Sequence, residues 1–275
     1  MGDRSILDNV TNTWSLFDRL ADRYDRVVPF FADFARQLVD ILDSAPGTRL
    51  VDIGTGRGAV ATVAAARGCV VTAIDAAPRM VALLTAEHPE IDARVMDAQD
   101  LDLPEGSFDI AAGAFVIHLV DDPARVLAEL RRVVRPGGTI ALTTPGPCDD
   151  GGRWDAFHAL VGTFEPRTIG PDRPGHRVDV LELLTAAGFV QIHTTTIETH
   201  LPVADPDTAW RFHMSHGFAG FVEALTPADA GELRERAMME LSRMHTTGGI
   251  TLDRGAMVYL ATDPDPGTDL ENAHG

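Results

Sequence analysis

Apolar positions along the chain follow a strand–helix rhythm introduced by two helices. From Asn12, residues Phe17, Leu20, Ala21, Tyr24, Val27 and Val28 recur at helical spacing. Pro29 ends that helix and opens a second, whose apolar face is Phe30, Phe31, Phe34, Leu38, Ile41 and Leu42. Ala45-Pro46-Gly47 turns the chain into a β-branched run over 49–53 that reads as a buried parallel strand. Gly54, Gly56 and Gly58 lead into an alanine-rich helix over 59–67, which Gly68 is placed to cap. The alternation continues with a strand over 69–74 ending at Asp75, and a helix from Pro78 closed by His88-Pro89. Strands over 91–96 and 108–116 follow, then a helix opened by Asp122-Pro123 and a strand over 139–144. Such alternation predicts an α/β fold, a doubly wound parallel sheet with helices on both faces.

Beyond Pro145 the pattern loosens. Residues 145–176 are rich in Gly, Pro and Asp, with one helical patch around Trp154, Phe157 and Leu160. Asp179 with Glu182 marks the start of a helix ending at Gly188, and a strand over 189–198 follows. Two helices are expected over 205–245, opened by Asp205-Pro206 and Thr226-Pro227, before a last strand over 256–262. Residues 1–11 and the acidic tail from Asp263 read as disordered. The expected organisation is an N-terminal helical cap (1–45), an α/β core (46–200 and 250–263), a helical lid insertion (201–249) and a tail (264–275).

Charge and composition narrow the function. The 275 residues suit one large domain with an insertion, and a net charge of −18 repels nucleic-acid phosphates and anionic membranes. No apolar run approaches the ~18 residues of a membrane span, and the N-terminus lacks a signal-peptide pattern, so a cytoplasmic protein is expected. All 23 basic residues are arginines. The absence of lysine removes Schiff-base enzymes and the standard P-loop nucleotidases. Cys69 and Cys148 are far apart and outside any metal-ligand spacing, so neither a structural disulfide nor a metal is expected.

The glycines match Gly-x-Gly-x-x-Ala, which fits a dinucleotide fingerprint and equally a tight turn in any α/β protein. More specific are three acids, Asp52, Asp75 and Asp97, at the exits of three successive strands, which line one crevice in a doubly wound sheet. Asp75, 23 residues beyond Asp52, stands where a carboxylate would accept both hydroxyls of a ribose. Asp97 could accept from an adenine amino group. Asp52 is too near the glycine turn to reach the ribose, and would either accept from a ligand ammonium group or hold the loop.

Val51–Gly58, Ile74-Asp75 with Met80, Asp97-Ala98-Gln99-Asp100-Leu101, Phe108-Asp109 to His118, and the run from Leu130 to Gly138 together resemble the class I S-adenosylmethionine-dependent methyltransferases. Within these, the chain is similar to the small-molecule group that includes the ubiquinone/menaquinone-type enzymes. The resemblance covers 47–145, with Ala21-Asp22-Arg23-Tyr24-Asp25 similar to that family's N-terminal segment; Thr55 and Arg57 depart from the commoner residues there. It implies a seven-stranded, mostly parallel Rossmann-like sheet whose last strand is antiparallel. It also implies S-adenosylmethionine as cofactor and a small, apolar or aromatic acceptor, methylated on oxygen, carbon or nitrogen, of the kind found in secondary metabolism. By this resemblance Gly54 and Gly56 admit the methionine part, Asp75 takes the ribose diol, and Met80 lies near the adenine. Asp97, Ala98 and Gln99 complete the adenine pocket, and Ala114 offers its carbonyl to the cofactor ammonium. Tyr24 closes over the sulfonium or is a packing aromatic. Asp52, Thr55 and Ala76 belong to the same cofactor set.

Without lysine, a general base would be a histidine or a carboxylate. His118 after the fourth strand is a candidate base or a pocket wall. His213 and His216, among Trp210, Met214, Phe218 and Phe221, are either polar groups of a greasy substrate pocket or the rim of an amphipathic helix. Their i, i+3 spacing offers no third metal ligand, and His176 reads as incidental. The insertion helices could pair two chains as a homodimer. Two rival readings are a methyltransferase fold reused as a cyclase or dehydratase, and a nicotinamide-dependent oxidoreductase. The latter is disfavoured by Asp97-Ala98 and by the lack of any Tyr-x-x-x-Lys pair. A non-enzymatic scaffold would have no need of three acids at three strand ends.

Overall fold

The computed structural model describes residues 13–168 and 178–265. The expectations for residues 1–11, for His176 and for the tail from residue 266 lie outside them. The strands are β1 (Arg49–Ile53), β2 (Val70–Asp75), β3 (Asp92–Val95), β4 (Phe108–Ala114), β5 (Val134–Gly146), β6 (Val190–Val203) and β7 (Ile250–Thr262). They form one seven-stranded sheet in the order β3-β2-β1-β4-β5-β7-β6. Pairings from β3 through β5 are parallel, and β7 runs antiparallel to both of its neighbours. The order of the first five strands reverses at β1/β4, so the crevice lies at the carboxyl ends of β1, β2 and β4.

Successive side chains of β1 feed opposite faces. Val51 and Ile53 join Ile74, Ile140 and Leu142 under helix α5 (Pro123–Val133), which buries Val126, Leu127, Leu130 and Val133. Leu50 joins Val71, Ala73 and Ala141 under α2 (Phe30–Leu42) and α3 (Ala59–Ala66). Among the described residues, four helices start at a side-chain cap, two of them at aspartates of the core. Asp122 accepts the Arg125 N–H at 3.0 Å for α5, and Asp179 accepts that of Glu182 at 3.0 Å for α7 (Val180–Ala186).

Three expectations are corrected. The first helix, α1 (Thr13–Leu20), stops earlier than its apolar spacing predicts. The chain turns over 21–28, with Asp25 at φ 53° and its carboxylate accepting the Phe31 N–H at 3.2 Å. Strands β6 and β7 are longer than predicted, because Asp253, Arg254 and Gly255 are carried inside the sheet rather than ending it. The insertion between them holds α8 (Pro206–His213), α9 (Phe218–Glu223) and α10 (Pro227–Gly248), not two helices, since the chain breaks around Gly217. With α6 (Asp155–Gly162), these helices enclose a third core that includes Trp154, Phe157, Phe212, Leu233 and Leu241. No helix among the described residues is long and apolar enough to cross a membrane.

Helix α1 bridges the sheet domain and the insertion. The Arg79 N–H, in α4 (Pro78–Glu87), donates to Asp18 at 2.6 Å, and Arg79 pairs with Asp22 at 2.7 Å. On the other side Arg19 meets Glu223 at 2.6 Å, and Leu16 and Leu20 pack on Ala219.

Gly58 precedes α3 with φ 83°, and a Cβ there would stand 2.4 Å from Cδ1 of the fully buried Leu84. Gly58→Ala is expected to lose about 3 kcal/mol of stability from left-handed strain and overpacking combined, read as a lower midpoint in denaturant unfolding.

Candidate active site

A cavity of about 490 Å³ lies at the switch in strand order. Gly54 and Gly56 come to it from the loop after β1, and Asp75, Ala76 and Met80 from the end of β2 and the start of α4. Asp97, Ala98 and Gln99 follow β3, and Ala114 ends β4. The N-terminal segment closes it with Trp14, Phe17 and Tyr24. Ten of the residues expected to hold a cofactor therefore line one space. The other two, Asp52 and Thr55, line an adjoining cavity of about 190 Å³ that shares Tyr24, Gly54, Gly56 and Ala114 with the first.

Asp75 is aimed by backbone. One carboxylate oxygen accepts the Gly56 N–H at 2.8 Å and the other the Ala77 N–H at 2.8 Å, so each keeps a lone pair for a further donor. Burial raises the Asp75 pKa. Asp97 accepts the Gln99 N–H at 2.9 Å and its side-chain amide at 3.1 Å, and the Gln99 oxygen accepts the Asp122 N–H at 2.8 Å. This chain ties the loop after β3 to the start of α5.

Asp52 is buried and turned inward. Its Oδ2 takes the Thr55 hydroxyl at 2.6 Å and the Ala61 N–H at 3.2 Å, so it holds the glycine loop against the first turn of α3. Burial pushes its pKa up to about 7. Gly54 sits at φ 62°, and a Cβ there would be 2.4 Å from Cγ2 of Val116. Its smallness thus also serves packing inside the protein.

The Tyr24 ring lies 3.5 Å from where a Cβ on Gly56 would be, stacks on Phe31 at 5.2 Å between centroids, and touches His216 at 4.9 Å. Burial raises the pKa of its hydroxyl, which stays neutral. Two residues that hold this arrangement were given no such role by the sequence. Arg57, in the glycine loop, donates to the Ala21 carbonyl at 3.1 Å and pairs with Glu87 at 2.5 Å, so it fastens the turn that carries Tyr24. Phe115 lines both cavities at φ 55°, its N–H donating to the Thr143 carbonyl at 3.1 Å and hydroxyl at 3.0 Å, and its ring packs on Phe31 and Phe34. A positive φ at a non-glycine residue beside a crevice is a feature that only the backbone reveals. Asp25, also in the smaller cavity, is raised by burial to about 6.

The candidate bases fall outside both cavities. His118 is half-buried in the turn after β4. His213 is buried between Trp154, Phe157 and Phe218 in the third core, the packing alternative for this residue. His216 lies against Tyr24, Phe31 and Phe212. The Nδ1 of His213 meets the Ala209 carbonyl at 2.8 Å, and that of His216 the Phe212 carbonyl at 2.8 Å. A carbonyl only accepts, so both rings carry their proton on Nδ1 and leave Nε2 as an unprotonated nitrogen with no partner among the described residues. Burial depresses His213 to about 3 and His216 to about 4, so both are neutral near pH 7.

Folded Asp52 keeps its proton up to about pH 7, whereas in the unfolded chain it ionises near the ordinary value of about 3.9. The native state binds the extra proton between those values, so this group's contribution to stability falls as pH rises through that window. Asp52→Asn cannot titrate. Its stability relative to the unaltered protein is expected to rise between pH 4 and pH 8, measured as unfolding midpoints; a constant difference would mean that Asp52 is ionised throughout.

A family of methyltransferase domains matches residues 51–142. Nocamycin O-methyltransferase of Saccharothrix syringae is 32% identical over 260 residues, covering 85% of this chain and 92% of its own length. Aklanonic acid methyltransferase of a Streptomyces species is 37% identical over 155 residues, covering 53% of this chain and 69% of its own. An N-methyltransferase of Haemonchus contortus, solved with phosphomonomethylethanolamine and S-adenosylhomocysteine, shares the fold with a TM-score of 0.51 at 17% identity, over 90% of this chain and 60% of that one. The seven-stranded sheet, the acids at its strand exits and a relative matched over nearly its whole length lead to one assignment: the chain belongs to the class I S-adenosylmethionine-dependent small-molecule methyltransferases.

Proposed function

We propose that the chain methylates a small, apolar or aromatic metabolite on oxygen, carbon or nitrogen, with S-adenosylmethionine held in the larger cavity. The observation that carries this is the pair of carboxylates facing that space. Asp75 has both oxygens steadied by backbone N–H groups, and Asp97 stands one strand further out. A cavity of about 490 Å³ is of the size that takes a ligand of this class (about 300–1,000 Å³). When bound, the cofactor supplies an electrophilic methyl group on a sulfonium centre.

In this reading Asp75 accepts from the ribose hydroxyls, while Asp97, Ala98 and Gln99 hold the adenine beside Met80. Gly54, Thr55 and Gly56 leave room for the methionine part, and Ala76 and Ala114 wall it. Asp52 acts through the loop it pins. Tyr24 presents an aromatic face to the positive centre. The insertion over 201–249 serves as a lid on the acceptor side, supported by the contact of Phe212 and His216 with the aromatic group around Tyr24. These rings favour an apolar or aromatic acceptor, and the two relatives are likewise named for small organic molecules. His216, neutral and proton-free on Nε2, can accept a hydrogen bond but is a weak base. Orientation of the acceptor, with His118 as the remaining histidine near β4, then supplies most of the catalysis.

Titration calorimetry against S-adenosylmethionine, S-adenosylhomocysteine and NAD tests the assignment: both sulfur compounds are expected to bind and NAD not, and binding of NAD alone would overturn it. Asp75→Ala should weaken S-adenosylhomocysteine by about 100-fold, the loss of two hydrogen bonds to a charged group, with an unchanged circular dichroism spectrum. Tyr24→Leu should weaken S-adenosylmethionine about 3- to 30-fold and the uncharged S-adenosylhomocysteine much less, because only the former offers a cation to the ring.

A further inference from the structure

On the same end of the sheet, but across β5 and β7 from the crevice, the fold gathers a second set of chemically active side chains. Gly146 at the end of β5 pairs with Gly255 of β7, which pairs in turn with Glu198 of β6. Two residues further along β6, His200 pairs with Asp253. Gly255 lets the exit of β5 cross closely, since a Cβ there would lie 1.7 Å from the Pro147 carbonyl oxygen. That crossing delivers Cys148 to Glu198 and His200. The thiol sulfur, a Glu198 oxygen and a His200 ring nitrogen lie within 4.8 Å of one another.

His200 is already oriented. Its Nδ1 donates to Oδ1 of Asp253 at 2.7 Å, which leaves Nε2 as the free nitrogen, 3.5 Å from Oε2 of Glu198. A carboxylate behind a histidine in this way fixes the tautomer that ligates a metal. Asp253 is itself buried and braced by Arg153 at 2.5 Å. Neighbouring Arg254 lies 4.7 Å over the Trp154 ring and within electrostatic reach of Cys148 and Asp253. Bond lengths of about 2.0–2.3 Å to a tetrahedral zinc ion place its ligand atoms about 3.3–3.7 Å apart. The histidine–glutamate pair meets that spacing, and the remaining separations need about 1 Å of rotamer adjustment.

We propose that Cys148, Glu198 and His200 form a binding site for a zinc-type divalent cation, with Asp253 positioning His200 and the fourth coordination position open to solvent. A thiolate, an imidazole and a carboxylate are the donor set that such a borderline ion takes. The thiolate and Glu198 balance the dication, while Asp253 is balanced by Arg153. The bound ion joins the exit of β5 to the end of β6, and so clasps the long connection that carries α6 and α7. The site uses none of the residues assigned to the cofactor.

Chelator-treated full-length protein is titrated with Zn²⁺ by calorimetry and with Co²⁺ by absorption, and its melting is followed with and without Zn²⁺. One equivalent of either ion should bind, Co²⁺ should give a thiolate charge-transfer band in the near ultraviolet, and Zn²⁺ should raise the melting temperature. Cys148→Ser should lose the band. His200→Ala should weaken Zn²⁺ by about 10- to 100-fold, and His193→Ala, elsewhere on β6, should bind as the unaltered chain does. Absence of stoichiometric binding, or equal binding by Cys148→Ser, His200→Ala and the unaltered chain, would overturn the proposal. The band reports coordination even in a variant that is less stable.

Discussion

A single buried carboxylate oxygen, Oδ2 of Asp52, organises the centre of this enzyme. It takes the Thr55 hydroxyl and the Ala61 N–H together, so the glycine loop cannot shift without breaking a hydrogen bond to the start of α3. The loop in turn presents the Gly56 N–H to Asp75, and thereby orients the carboxylate of the next strand. Two acids at adjacent strand ends are thus linked in series, the first inside the protein and the second facing the cavity. Burial raises the pKa of both, which is the cost of placing charged groups where water is excluded.

The wall opposite the sheet depends on weaker forces. Helix α1 is short, and the ion pairs that tie this segment down, Arg19 with Glu223 and Asp22 with Arg79, are exposed, the kind that contribute little singly. What fixes the N-terminal segment is the loop itself, through Arg57 on the Ala21 carbonyl and on Glu87, which also receives Arg26. The side chain that departs from the family's commoner residue therefore sets the position of Tyr24, one loop away in space though far away in sequence.

The strand–helix core was legible because periodicity, proline starts and aspartate caps all agreed; Asp122 and Asp179 cap the helices they were expected to open. That one cavity gathers Asp75, Asp97 and Ala114 was legible for a different reason: they lie at or just after strand ends, and the sheet order brings strand ends together. Illegible features depend on partners distant in sequence. Asp253 and Gly255 fell outside the strand expected over 256–262, yet one is neutralised by Arg153 and the other is needed for close passage of Pro147. The apolar spacing of 21–28 looked helical, but Tyr24 and Val28 reach separate clusters, and the chain turns to serve both. Phe115 carried no signal at all, since its left-handed backbone comes where the chain leaves β4 and its N–H is held by Thr143 of β5.

The third core draws on two excursions of the chain, α6 after β5 and α8 to α10 after β6, that meet each other across the end of the sheet. Its large side chains, Trp154, Phe157 and Phe212 among them, pack chiefly on one another, whereas the sheet's own layers are filled by α2, α3, α5 and α7. Substitutions at Trp154 and Phe157 are therefore expected to couple weakly to those around Asp52 and Asp75, whereas Phe212 reaches Tyr24 through His216. Such separation makes the molecule divisible in evolution. Descent can remodel the outer core, trading one aromatic filling for another, while the strand ends around the larger cavity are left in place.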